Sequence, residues 1–129
     1  MNKILVEVSV GELLDKISIL EIKQVKIKDL NKLKFINEEH IILKSQFNQN
    51  VKSSEKLESL FKSLKEINSK LWVIEDNKRS CEKNKDFGEK FIKLSRDVHF
   101  LNDERAKIKL EINILSSSKI REIKEYKLY

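Results

Sequence analysis

One row of side chains has the types and spacing to hold an anion. Asn102, Arg105 and Lys109 follow one another at steps of three and four residues, which stacks them turn above turn on one face of a helix. The apolar series Phe91, Leu94, Val98, Leu101, Ile108 and Ile112 places Arg105 where an apolar residue is expected. A guanidinium there is costly unless it is paired or reaches water, and two cations one turn apart repel unless an anion lies near them. Three arrangements meet that need. A carboxylate of the same chain could face the row, with Asp15, Glu75 and Asp76 as candidates; a bound phosphate or carboxylate could sit on it; or the side chains could extend to solvent. Arg96, on the same segment, joins Asn102, Arg105 and Lys109 as a candidate ligand-binding group. Arg79, Arg96, Arg105 and Arg121 stand against 23 Lys, so an Arg in this chain can mark a place where a planar, bidentate donor is needed.

Carboxylates supply the other half of the possible chemistry. Glu12 and Asp15 lie one turn apart, and together with Asp76 they are the candidate acid or base groups. Helical Mg-dependent nucleotide pyrophosphatases use such spacings, but with E-E-x-x-E and a matching acidic cluster. Here Glu38-Glu39 is followed by Ile42. His99 and Asp103 share a face at i,i+4, yet two ligands without a third make a poor metal site. Glu75 and Arg79 have the spacing of an ordinary helix-surface pair, and Trp72, one residue off the apolar stripe, reads as a core or interface filler before a stacking platform. No nucleophilic triad, P-loop or dinucleotide fingerprint is present, so neither a metal nor a cofactor is expected.

The elements that must position these groups are mostly helical. Ile4, Val6, Val8 and Val10 alternate with Leu5, Glu7 and Ser9, the period-two pattern of a half-buried strand. Such a strand needs a backbone partner, either near the C-terminus of this chain or on a second copy. Ser9 and Glu12 have capping-box spacing, and Gly11 inside that first turn implies close packing or the close approach of a ligand. The first helix is expected from about Val10 to Lys28, on Leu13, Leu14, Ile17, Leu20 and Ile27. The pattern loses phase around Asp29 to Asn31. A second helix follows on Leu33, Ile36, Leu43 and Phe47, with His40 inside its stripe and a loop over Asn48 to Ser54. Ser53 or Ser54 then caps a third helix on Leu57, Leu60, Leu64, Ile67, Leu71 and Ile74, ending near Lys83. Asn84 to Gly88 makes a turn into the fourth helix, which runs to the serines at 116–118. Beyond them, Glu125 to Tyr129 alternates well enough to pair with the N-terminal strand.

Composition agrees with that reading. The 129 residues fit one domain, with 40% hydrophobic and 37% charged residues, no Pro and two Gly. Helices with solvated faces have this signature, and a turn-rich β-sandwich does not. A net charge of +6 raises nucleic acid as a partner, but the excess is spread evenly along the chain without a basic run, which argues against it. No apolar run approaches a membrane span and no signal peptide is recognisable, so a cytoplasmic protein is expected. Third and fourth helices of nearly 30 residues would each reach roughly 42 to 45 Å at 1.5 Å per residue, against a radius of gyration of about 14 Å for a compact chain of this size. An elongated molecule, joined as a homo-oligomer with a dimer favoured, follows from those lengths and from the unpaired strand.

The segments V-S-V-G-E-L-L-D-K (Val8 to Lys16), L-W-V-I-E-D (Leu71 to Asp76) and N-D-E-R-A-K-I-K (Asn102 to Lys109) resemble a family of small bacterial and phage proteins of unknown function. The ending I-K-E-Y-K-L-Y is similar to that family's usual close. The resemblance implies no established activity, only an association with surface-polysaccharide genes. Carried over position by position, its pattern picks out Gly11, Glu12, Asp15, Lys16, Trp72, Glu75, Asp76, Arg79, Arg96, Asn102, Asp103, Arg105, Lys109 and Asn113. So many recurrent polar positions imply a shared ion-pair network or a shared site. Ser95 and His99 depart from the Ala and Tyr that the pattern would place there.

These readings converge on a mainly α protein, an elongated antiparallel helical bundle or coiled-coil hairpin with a short N-terminal β-strand. The leading function is a binding or assembly module that meets an anionic small molecule or a protein partner. The alternative is an enzyme acting on a small phosphate, carboxylate or sugar-nucleotide substrate, possible in surface-polysaccharide metabolism. The two differ in whether Arg105 and Lys109 are neutralised within the bundle or left open to a substrate.

Overall fold

A computed structural model of the chain describes residues 2–117 as four helices: α1 (Val10–Lys26), α2 (Leu30–Asn50), α3 (Glu55–Lys83) and α4 (Glu89–Leu115). Each of the first three begins at a side-chain cap that satisfies an otherwise unpaired backbone N–H. The Ser9 hydroxyl accepts from the Glu12 amide at 3.1 Å, Asp29 from Lys32 at 3.0 Å and Ser54 from Leu57 at 3.2 Å. Ser54 rather than Ser53 is therefore the cap of α3. Only half of the expected capping box forms at α1, because the Glu12 carboxylate turns to Lys109 instead of back to the Ser9 backbone. Gly88 opens α4 without a side-chain cap.

Short links force neighbouring helices to run in opposite directions. α3 and α4 pack as a hairpin, α1 lies against both, and the backbone of α2 approaches only α1. The register between α1 and α4 is antiparallel: as α1 advances from Gly11 through Glu12 to Asp15, their partners retreat from Asn113 through Lys109 to Arg105. The core collects Leu14 and Ile17 of α1, Phe47 of α2, Leu57 and Leu64 of α3 and Ile112 of α4. Every one of these lies on an apolar stripe legible in the sequence.

Two expectations need correction. α1 ends at Lys26 and α2 extends to Asn50, so the link before α3 is shorter than the polar composition of Asn48 to Ser54 implied. The N-terminal β-strand is not formed: among the described residues there is no strand, and residues 2–8 make no backbone hydrogen bond with any of them. The physical reason is that alternation supplies a face but not a ladder, and no second strand is available within the described residues to complete one. The C-terminal segment 125–129, one of the two expected partners, lies outside the described residues. No helix among them is long and apolar enough to cross a membrane.

Candidate functional site

The close approach of α1 to α4 builds a polar cluster inside the bundle. Gly11 makes the approach possible, for a Cβ there would stand 2.6 Å from the Lys109 carbonyl oxygen and 2.8 Å from Asn113 Oδ1. Its backbone N–H donates to Asn113 Oδ1 at 2.7 Å. Close packing, one of the two explanations for this glycine, is thus what the site uses.

One turn on, the Asp15 side chain is only 3% exposed and accepts from two nitrogens along one edge of the Arg105 guanidinium, from Nε at 2.9 Å and from Nη2. Asn68 of α3 completes the shell, its Nδ2 donating to Asp15 Oδ1 at 2.9 Å and to the Ser18 hydroxyl at 2.8 Å. Ser18 donates in turn to the Asp15 carbonyl at 2.8 Å. Lys109, buried in spite of its charge, donates to Glu12 Oε2 at 2.8 Å and stands 3.9 Å from Asp15 Oδ2. Burial works to raise the Asp15 pKa, but the hydrogen bonds from Arg105 and Asn68 and the charges of Arg105 and Lys109 outweigh it and hold the carboxyl below its ordinary value. Among the described residues no buried side-chain polar atom lacks a partner. The cluster can therefore lock α1 to α3 and α4, while Asp15 stays ionised and is poorly placed to exchange protons at neutral pH.

Beside this cluster a cleft of about 370 Å³ opens between α1 and α3. Ile19, Ile22 and Leu71 give it an apolar floor, and Trp72, Glu75, Asp76, Arg79 and Arg105 surround them. Five residues of the polar pattern shared with the resembled family thus meet at one place. The expected Glu75–Arg79 pair does not form, and neither side chain makes an ion pair within 4 Å among the described residues. Arg105 has its guanidinium fixed by Asp15 yet keeps 29% of its side chain exposed on the cleft wall. A ligand with an apolar body and a charged group would match this lining, since pockets of this kind combine apolar walls with a few polar groups that orient the ligand. A larger recess of about 610 Å³ between α3 and α4 is lined mainly by Val73, Ile74, Phe100 and Leu101, and only Lys70 and Asp97 bring charge to it.

The sequence-derived candidates divide accordingly. Glu12, Asp15, Arg105 and Lys109 come together, Asp76 lies on the cleft, and Arg96 and Asn102 join neither group. Arg96 is exposed on α4, about two and a half turns before Arg105 at 3.6 residues per turn. Sequence reasoning overlooked Asn68 and Ser18, though both interrupt apolar stripes, Asn68 four residues after Leu64 and Ser18 four after Leu14. It also overlooked a second polar clip. Glu21 of α1 binds His40 of α2 at 3.0 Å and accepts from Lys65 of α3 at 2.9 Å, joining three helices through one carboxylate. Burial again works to raise its pKa, and the hydrogen bonds from His40 and Lys65 outweigh that effect and lower it.

No curated protein and no solved structure matches the chain. A family profile does, over residues 4–128, and the positions that build both the buried cluster and the cleft fall within it; the chain belongs to that family of unknown function, DUF6165.

Proposed function

We propose that the protein is a non-catalytic binding module whose ligand site is the cleft between α1 and α3. One observation carries the reading: the cluster of Glu12, Asp15, Arg105 and Lys109 is internally matched, whereas the neighbouring cleft gathers the single Trp and two of the four Arg of the chain. An anionic small molecule with an apolar or ring-shaped body suits it. Its body rests against Ile19, Leu71 and Trp72, and its acidic group takes the Arg79 guanidinium, with Arg105 held on the opposite wall by Asp15. Glu75 and Asp76 select against a ligand that is acidic throughout. The enzymatic alternative is weaker because, of its three candidate acid or base groups, Asp15 and Glu12 serve ion pairs and Asp76 alone stands exposed on the cleft.

Trp72 provides a direct test, since no other Trp contributes to the emission. Titration with phosphates, dicarboxylates and sugar nucleotides should find a compound that changes Trp72 fluorescence in the wild type and fails to do so in Arg79→Ala. That substitution removes an exposed side chain without an ion pair among the described residues, so the fold is retained. If no compound of the panel shifts the emission or the thermal midpoint, the small-anion reading is wrong.

A further inference from the structure

Independently of the cleft, the first residues of the chain carry information about assembly. Residues 2–8 lie outside every helix, and their backbone groups form no hydrogen bond among the described residues. Their apolar side chains are unusually bare: Ile4 is 87% exposed, Leu5 82% and Val6 74%. Isolated apolar surface residues are ordinary, but contiguous β-branched and aliphatic side chains on a backbone outside every helix and unpaired among the described residues form a template for strand addition.

The order of residues in this segment is matched to itself. In an antiparallel pairing of two copies about a two-fold axis at Leu5, each residue faces the one whose number completes ten. Leu5 meets Leu5 of the second copy, Ile4 meets Val6, and Lys3 meets Glu7 at both ends of the ribbon. Opposite charges directly across a ladder are favourable and like charges unfavourable, so the register with both ion pairs is selected over its neighbours. A one-residue slip also exchanges the faces of the strand. In the centred register Ile4, Val6 and Val8 of both copies share one face, with Asn2 opposite Val8 at each end of it, and Lys3, Leu5 and Glu7 lie on the other.

That apolar face has somewhere to go. Gly11 lies beside Asn113, so the segment leaves the bundle at the end where α4 finishes. There Ile114 and Leu115 are exposed, beside a depression of about 410 Å³ in which Val10, Val51, Leu57 and Leu115 stand among Asn50, Lys52 and serines. A two-stranded ribbon alone is marginal in water and needs such a surface to pack on. We infer that the protein forms a two-fold dimer through an antiparallel ribbon of residues 2–8, registered by reciprocal Lys3–Glu7 pairs and seated against the exposed Ile114 and Leu115 at the end of each bundle.

Sedimentation and light scattering on the full chain test this. The wild type should be a dimer, and Lys3→Glu or Glu7→Lys alone should weaken association by about tenfold or more, because each turns both attractive pairs into repulsive ones. Lys3 and Glu7 are exposed, so neither change threatens the fold. Two further results are specific to the register. An equimolar mixture of the two single variants should form a heterodimer, since every cross-strand pair is then attractive again. Leu5→Cys should cross-link to itself under mild oxidation, with the buried native Cys81 left out. A monomeric wild type, or single reversals that associate as tightly as the wild type, would overturn the inference.

Discussion

At the scale of single residues, Asp15 and Gly11 decide whether α1 can dock. The two members of the central ion pair are not equivalent, since Asp15 is almost wholly buried while Arg105 keeps a path to solvent. Arg105→Met should therefore be the costlier change, by about 3 to 5 kcal/mol, because it strands a buried carboxylate. Asp15→Asn leaves an amide that Asn68 and Arg105 can still approach, and should cost about 1 to 3 kcal/mol. Urea unfolding of the two variants checks the order, and the reverse order would mean that Arg105, not Asp15, carries the desolvation penalty. Gly11→Ala tests the close approach of the helices. The added methyl would meet the backbone oxygen of Lys109, which cannot swing away as a side chain could, so the helices must separate. A loss of about 1 to 3 kcal/mol is expected from overpacking, whereas Ala in place of an unconstrained helical Gly would stabilise by up to about 1 kcal/mol. The sign of the measured change separates the two cases.

The helices differ in how firmly each is held. α1 touches every other helix, while the backbone of α2 approaches α1 alone and places one residue, Phe47, in the core. Leu33, Ile36 and Leu43 are only partly buried, and Leu30, Phe35, Ile41 and Ile42 are exposed. Local opening follows the number of buried contacts, so hydrogen exchange should show α2 opening before α1, α3 and α4. His40→Ala removes its bond to Glu21 and should accelerate exchange in α2 more than elsewhere; uniform acceleration would mean that the four helices open as one unit. Of this hierarchy, the sequence displays only part. The stripes on α1 and α3 and the serine caps are local patterns, and they are found where they were expected. Which stripe packs on which depends on interhelical register, which no local pattern carries.

For the whole molecule, the carboxylates of buried Asp15 and half-buried Glu21 set the response to acid. Asp15 and Glu21 both have pKa values lowered by folding, from ordinary values of 3.8 and 4.5. Below those values the unfolded chain binds more protons than the folded one, so stability falls as the pH drops. Their contribution is complete above the unfolded values and is lost as the pH falls through the lower, folded ones. The thermal midpoint should therefore decline as the pH is taken below about 4, and Asp15→Asn should flatten that decline; an unchanged slope in the variant would assign it to other groups. The sequence by itself determined four helices, the serine caps of α1 and α3, the apolar stripes and the misplaced cation at Arg105, because each is encoded by spacing within about one or two turns. It also bounded the answer to Arg105, naming Asp15 among three possible carboxylates and a bound anion. Only the tertiary structure decided among them, since Asp15 and Arg105 are 90 residues apart and their meeting depends on the register of α1 against α4. The N-terminal segment marks the same boundary from the other side. Its alternation is plain in the sequence, but a strand exists only where a second backbone lies alongside it, and among residues 2–117 none does.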